Sequence, residues 1–334
     1  MQERLDSLFK AVAGAERVLI LPHNDPDPDA IASALALRHL LAEKLGAEGY
    51  IAYKGIVGRA ENKALVRYLG FPLHRLTGSD LRRTGPIALV DTQPSAGNNA
   101  LSPGSQAAIV IDHHAWREAT AAAAFADVRQ ELGATSTILT EYLQAAGIEP
   151  TPPLATALFY GIKTDTMGLA RGASPADVAA YFFLQLRVDV EALIEIERAQ
   201  VPADYFQKLV ATLQAAYIYD NVLISYLGQM GRPDLAAEMA DLLLRLEGMQ
   251  WVLCIGVYKN DLILSVRSRS RRGGAGELAQ EIVGGQGSAG GHGTMAGGQI
   301  PLAGQDPALL ARALGHHALE YLKVPPATTA RPLV

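Results

Sequence analysis

The chain has one cysteine in 334 residues, Cys254, so no disulfide can form within it. That thiol lies in the apolar run 251–257 and reads as buried and inert. The scarcity of cysteine fits the reducing cytoplasm. No apolar run approaches the ~18 residues a membrane span requires. The first 18 residues carry acids and no long apolar core, which argues against a secretory signal. A membrane partner is therefore not expected. Positive charge is also short: 29 Lys and Arg stand against 34 Asp and Glu, a net charge of -5. This excludes the global positive field that draws in long duplex nucleic acid. A short or small anion, held by local contacts, fits better. Aromatics make up 6% of the chain, so platforms for stacking a base are few. There is no G-x-S-x-G turn, and no protein nucleophile stands out.

What the chain does have is a dense polar turn, His23-Asn24-Asp25-Pro26-Asp27-Pro28-Asp29, between the apolar run 18–21 and an alanine- and leucine-rich segment. Three carboxylates in one turn repel each other unless a cation or protons neutralise them. The two prolines stiffen the turn before any ligand arrives. A metal site is one reading. A polar turn with Asp29 as helix N-cap is the other.

The wider pattern bears on that choice. The length suggests two domains. Strands are expected at 17–22, 49–53, 86–90 and 107–111, and helices at 4–13, 30–45, 62–69, 135–146 and 151–161. Thr135 or Ser136 reads as the cap of the helix it opens. Strands alternating with helices predict an α/β fold, with a parallel-sheet, doubly wound N-terminal catalytic domain. The boundaries expected are residues 1–190 for that domain, 191–215 for a helical connection and 216–334 for a smaller α/β C-terminal substrate domain, with a cleft between the two. In the second part, strands are expected at 221–227, 251–258 and 262–267, and helices at 234–247 and 275–283. Residues 284–298 include eight glycines and one histidine, His292, and read as a shaped loop.

Apolar strands end on the 23–29 turn, on Asp91 and on Asp112-His113-His114. Sites in open α/β sheets form at the carboxyl ends of strands, so these clusters should converge, with Asp165 as a fourth contributor. His23, Asp27, Asp29, Asp91, His113 and Asp165 make four carboxylates and two imidazoles with no thiolate. That set suits manganese, with magnesium next. A carboxylate such as Asp91 can bridge two cations and so serve an in-line phosphoryl displacement. His113 and His114 are adjacent, so on a strand they should point to opposite sides. In the second part, Arg267 and Arg269 suit bidentate phosphate contact. The backbone N–H groups around Gly290 and Gly291, with His292, suit an anion. Tyr258 is the nearest aromatic that could stack a base.

Together these motifs resemble the DHH phosphoesterase superfamily. The match comprises H-N-D-P-D-P-D-A at 23–30, V-D-T at 90–92, the name-giving D-H-H at 112–114 and G-I-K-T-D-T at 161–166. The segment G-G-H-G-T-M-A-G at 290–297 resembles the G-G-G-H-x-x-A-A-G signature of the DHH-associated C-terminal substrate domain, with Ala289 and Met295 as departures. The resemblance implies one cation on His23, Asp27 and Asp91, and a second on Asp29, Asp91, His113 and Asp165. It implies that Asp112 supports the site and that His114 contacts the scissile phosphate. The layout is most similar to bacterial nano-RNases that also dephosphorylate pAp. The expected activity is therefore hydrolysis of very short oligoribonucleotides, such as linear dinucleotides, or of pAp, by a two-metal-activated water. An exopolyphosphatase or pyrophosphatase would use the same ligands. A non-catalytic nucleotide-binding protein is the third reading. A homodimer is compatible with each.

Overall fold

The computed structural model describes residues 1–70, 73–80, 85–102, 104–270 and 273–334, with the backbone alone at position 292. Arg271 and Arg272, close behind the strand that carries Arg267, lie outside the described residues. The chain divides into two compact units, Met1–Ala199 and Gln200–Val334.

In the first unit the elements are α1 (Gln2–Ala11), β1 (Arg17–Pro22), α2 (Pro28–Leu45), β2 (Glu48–Tyr53), α3 (Ala60–Leu69), β3 (His74–Arg75), β4 (Ile87–Val90), β5 (Ile109–Asp112), β6 (Phe125–Val128), α4 (Thr135–Ala145), α5 (Pro152–Asp165), α6 (Pro175–Gln185) and α7 (Val190–Glu197). The six strands form one parallel sheet in the order β3-β2-β1-β4-β5-β6. The chain winds outward in both directions from the β1/β4 junction, as a doubly wound sheet does. β1 shows why the central strands are continuously apolar. Val18 and Ile20 face the core beneath the helices, while Leu19 and Leu21 face a second, smaller core with Leu89 and Val110. That second face is closed by the connections, through Leu76, Leu101 and Ala123.

The register matters most for the site. Pro22 pairs with Val90, and Val90 with Ile111, so the ends of the three strands lie in register to within one residue. The next residues along each chain, His23, Asp91 and Asp112, are therefore set side by side. The first two turns of α2 are buried on every side, Ala30 to Ala34 included. Small side chains there let α4 and α5 close in. Gly161 on α5 is needed for this approach, because a Cβ would lie 3.0 Å from the Asp29 Cα.

In the second unit, α8 (Ala203–Gln214) precedes β7 (Ala216–Tyr219), β8 (Val222–Gln229), α9 (Leu235–Leu243), β9 (Trp251–Tyr258), β10 (Asp261–Ser268), α10 (Ala275–Val283), β11 (Ser288–His292), β12 (Met295–Pro301), α11 (Pro307–Tyr321) and β13 (Arg331–Pro332). The seven-stranded sheet has the order β11-β12-β10-β9-β8-β7-β13. Helices α10 and α11 cover one face, and α8 and α9 the other. Cys254 is fully buried on the α9 side, and burial pushes its thiol pKa up, away from reactivity. Among the described residues no helix is long and apolar enough to cross a membrane.

The glycine-rich segment is not a loop. It is the antiparallel hairpin β11–β12, pairing Ser288 with Gln299 through to His292 with Met295. Two of its glycines, Gly291 and Gly298, serve close packing. Gly291 has φ +152°, and a Cβ there would come within 2.4 Å of the Ala296 Cα. Periodicity cannot reveal a strand whose side chains are missing, which is why composition suggested a loop. Gly291→Ala is expected to destabilise the protein by roughly 2–3 kcal/mol, measured by urea denaturation. An unchanged midpoint would mean that the hairpin is paired differently.

Candidate metal centre

Asp27, not Asp29, is the N-cap of α2: its side chain accepts the Ala30 N–H at 3.1 Å. This corrects the capping alternative for Asp29. Asp29 lies inside the first turn, fully buried, and its two carboxylate oxygens accept the backbone N–H groups of Thr135 at 2.7 Å and Ser136 at 2.8 Å. It thus serves the N-terminus of α4, which has no cap of its own. Thr135 and Ser136, expected to cap that helix, instead donate to carboxylates, with Thr135 Oγ1 2.8 Å from Asp91 Oδ1. Asp25 turns away. It adopts φ +54° and accepts the Ile56 N–H at 2.7 Å.

Two imidazoles are aimed by backbone carbonyls. His23 Nδ1 lies 2.7 Å from the Asn24 carbonyl and His113 Nδ1 3.2 Å from that of Leu132. A carbonyl only accepts, so each Nδ1 carries the proton and each Nε2 faces the carboxylates. His23 Nε2 is 3.6 Å from Asp27 Oδ2 and 3.5 Å from Asp91 Oδ2. His113 Nε2 is 3.6 Å from Asp91 Oδ1 and 3.4 Å from Asp165 Oδ2. Asp165 ends α5, where the helix dipole favours a cation.

His113 and His114 do not point to opposite sides. Both follow the last residue of β5, their ring centroids are 4.3 Å apart, and His114 Nδ1 is 3.7 Å from the same Asp91 oxygen. The alternation argument fails because the pleat ends at Asp112. Asp112 is buried and holds the pair, accepting from His114 Nδ1 at 2.8 Å and from the His113 N–H at 2.9 Å. Sequence reasoning missed Gln93, whose amide donates to Asp112 Oδ2 at 2.7 Å. A glutamine three residues past a strand carries no signal of its own.

Among the described residues, three sets each bring their ligand atoms within 4.8 Å of one another: His23, Asp27 and Asp91; Asp29, His113 and Asp165; and Asp91, His113 and His114. Asp91 belongs to two of them. Among the described residues, His113 Nε2 is one of three buried side-chain atoms with no hydrogen-bond partner, and Asn24 Oδ1, in the same turn as His23, is another. An imidazole lone pair aimed at carboxylate oxygens that cannot donate fits a divalent cation between them.

Without a cation the cluster holds protons. Burial, then the charge of Asp91, raises the Asp29 pKa to about 7. Burial and the charges of Asp27, Asp29 and Asp91 push Asp165 well above the carboxylate range. Burial opposes charge on His23, but Asp27 and Asp91 outweigh it and lift the pKa to about 10. Burial likewise opposes charge on His114, and its hydrogen bond to Asp112 with the charge of Asp91 brings it to about 9.

The loop that aims His113 is tied down by Asp177. This fully buried carboxylate accepts the Gly133 N–H at 2.8 Å, the Ser174 N–H and hydroxyl at 2.7 Å each, and the Thr137 hydroxyl at 2.5 Å. Asp177→Ala leaves those donors without an acceptor. It should cost about 2–4 kcal/mol and weaken metal affinity roughly ten-fold, read by urea denaturation and calorimetric titration. Unchanged affinity would detach Asp177 from the site.

The remaining sequence candidates lie in the second unit. Arg267 is mostly buried. Its Nε pairs with Asp241, and its Nη1 donates to Ser265 Oγ at 2.9 Å and the Val266 carbonyl at 3.0 Å. Arg269 Nε donates to the Leu244 carbonyl at 3.0 Å. Gly290 and Gly291 are in β11, and Arg267, Met295 and His292 occupy one row across β10, β12 and β11. The His292 side chain is outside the described part. Tyr258 closes β9, with Lys259 Nζ 5.1 Å from its ring centre.

Residues 17–162 match the family model "DHH family, N-terminal domain", and residues 219–315 match the "DHHA1 domain". The two matches fall on the two units in order. The chain belongs to the DHH phosphoesterase superfamily. It is similar to an uncharacterized protein, MJ1633, of Methanocaldococcus jannaschii, with 38% identity over 286 residues. That match takes in 85% of this chain and 58% of MJ1633, so the chain spans little over half of that relative. Two solved structures share the fold. An exopolyphosphatase-related protein from Bacteroides fragilis has a TM-score of 0.75 at 17% identity, covering 97% of each chain. RecJ from Thermus thermophilus, solved with Mn2+, has a TM-score of 0.57 at 16% identity, covering 98% of this chain and 55% of RecJ.

Proposed function

We propose that this DHH protein is a divalent-metal-dependent phosphoesterase that hydrolyses very short oligoribonucleotides or phosphonucleotides such as pAp. The observation that carries the reading is Asp91, whose two oxygens lie between His23 on one side and His113 on the other, 3.5 and 3.6 Å away. His23, Asp27 and Asp91 would hold one cation, and Asp29, Asp91, His113 and Asp165 a second. Manganese is favoured because imidazoles take part, and RecJ, of the same fold, was solved with Mn2+. Bound cations would supply positive charge that activates water and stabilises charge developing on the phosphate.

The chain's own residues do the rest. His114, held through Nδ1 by Asp112, carries a proton at neutral pH and presents its other nitrogen to a phosphate oxygen. Asp29 gives up its proton when the site is loaded and stays anionic beside the α4 N-terminus. In the second unit, Arg267, Arg269, Gly290, Gly291 and His292 are the proposed phosphate contacts. Arg267 would have to exchange Asp241 for phosphate.

A second reading, hydrolysis of polyphosphate or pyrophosphate, uses the same ligands and draws on the fold shared with the exopolyphosphatase-related protein. The test is turnover of pApA, pGpG, pAp, longer RNA and polyphosphate by the full chain with manganese. Preference for the short nucleotides is expected. Turnover confined to polyphosphate would support the second reading. Inactivity on all of them would sink both.

A further inference from the structure

Trp116 lies two residues beyond His114 at the same sheet edge, and no step described above uses it. Its side chain is 47% exposed, a large indole left in water beside a charged site. Its backbone is nonetheless held on both sides. Gln93, 1% exposed, donates to the Ala115 carbonyl at 3.0 Å and accepts the Arg117 N–H at 2.9 Å. Thr120 Oγ1 also donates to the Gln93 side-chain oxygen, at 2.9 Å. The same Gln93 amide donates to Asp112, which holds His114. One buried side chain thus braces both the residue proposed to meet phosphate and the backbone that carries the indole.

An aromatic on a fixed backbone has only its two side-chain torsions to lose on binding. Its face accepts any base, since every base presents a π-surface. We propose that Trp116 is the stacking platform for the base of a nucleotide whose phosphate lies against His114. This rests on the phosphoesterase reading and deepens it, because polyphosphate has nothing to stack. Gln93 is then a positioning residue for both groups.

The test compares wild type, Trp116→Ala and Trp116→Phe as full chains with manganese. The substrates are pApA, pAp and base-free ribose 3,5-bisphosphate. Trp116→Ala should raise KM for the nucleotides roughly ten- to a hundred-fold with kcat little changed. Trp116→Phe should restore most of the loss, and the loss should be confined to substrates that carry a base. The chain has two tryptophans, so in a Trp251→Phe background AMP added to metal-free protein should quench the remaining indole saturably. An equal loss on the base-free substrate, unchanged nucleotide KM, or no quenching would overturn the proposal and leave the phosphoesterase reading standing. A wild type inactive on every phosphate ester would overturn both.

Discussion

Asp91→Asn is expected to reduce phosphoester hydrolysis by roughly a thousand-fold or more, the size that follows when charge stabilisation at the reacting phosphate is lost. Asparagine is the informative replacement. Asp91 has φ +58°, and asparagine tolerates that left-handed conformation where alanine is strained. An amide oxygen also keeps the acceptor for the Thr135 hydroxyl. The fold and the strand register should survive, while the negative charge between His23 and His113 disappears. AMP formation from pApA and phosphate release from pAp, each at saturating manganese, measure the rate. Calorimetric titration measures the accompanying loss of metal affinity, and thermal melting confirms the fold. Wild-type turnover in Asp91→Asn would remove Asp91 from the centre of the mechanism.

The second large effect is on stability. Metal-free protein should lose stability as pH rises from 5 to 8. Asp29 binds its proton more tightly folded, near pH 7, than unfolded, near 3.8. Its contribution is therefore complete below 3.8 and drains away as pH rises through 7. Asp165 acts in the same direction. His23 and His114, raised from 6.5 to about 10 and about 9, contribute fully below 6.5 and lose that contribution above it. Burial works against charge on Asp27 and Asp112, but their imidazole partners hold both below the usual carboxylate range. Their contribution is lost only as pH falls below about 4, outside this window.

A divalent cation replaces the departing protons and should abolish the slope. At a hundred-fold excess over Kd it adds about 2.7 kcal/mol, or roughly 5–10 °C in Tm for a domain of this size. Melting curves with EDTA and with manganese at several pH values provide the check. A metal-free Tm that climbs between pH 5 and 8 would contradict the arrangement of charges.

The acids and imidazoles that meet at this edge were legible because they cluster in the turns at the ends of apolar strands and at the end of one apolar helix, and a parallel sheet gathers such positions at one edge. How each carboxylate is used was not legible. Asp27 and Asp29 are both acids in one turn, and their division of labour depends on α4 arriving with bare N–H groups over Asp29 alone. His113 and His114 looked opposed because alternation was carried one residue past the end of β5. The glycine hairpin was hidden because pairing without side chains leaves no periodic trace. Arg267 was visible as a cation at a strand end, but its partner, Asp241, is 26 residues away in sequence.

By itself, then, the sequence determined the α/β class of both units and the identity of the acids and imidazoles at the strand ends, since apolar patterning and turn residues act locally. Only the tertiary structure decided that both Asp91 oxygens face imidazoles, that Asp29 serves a helix other than its own, and that Gln93 braces Asp112 and Trp116 together. Those facts depend on register and on the approach of helices distant in the chain, which no local pattern encodes.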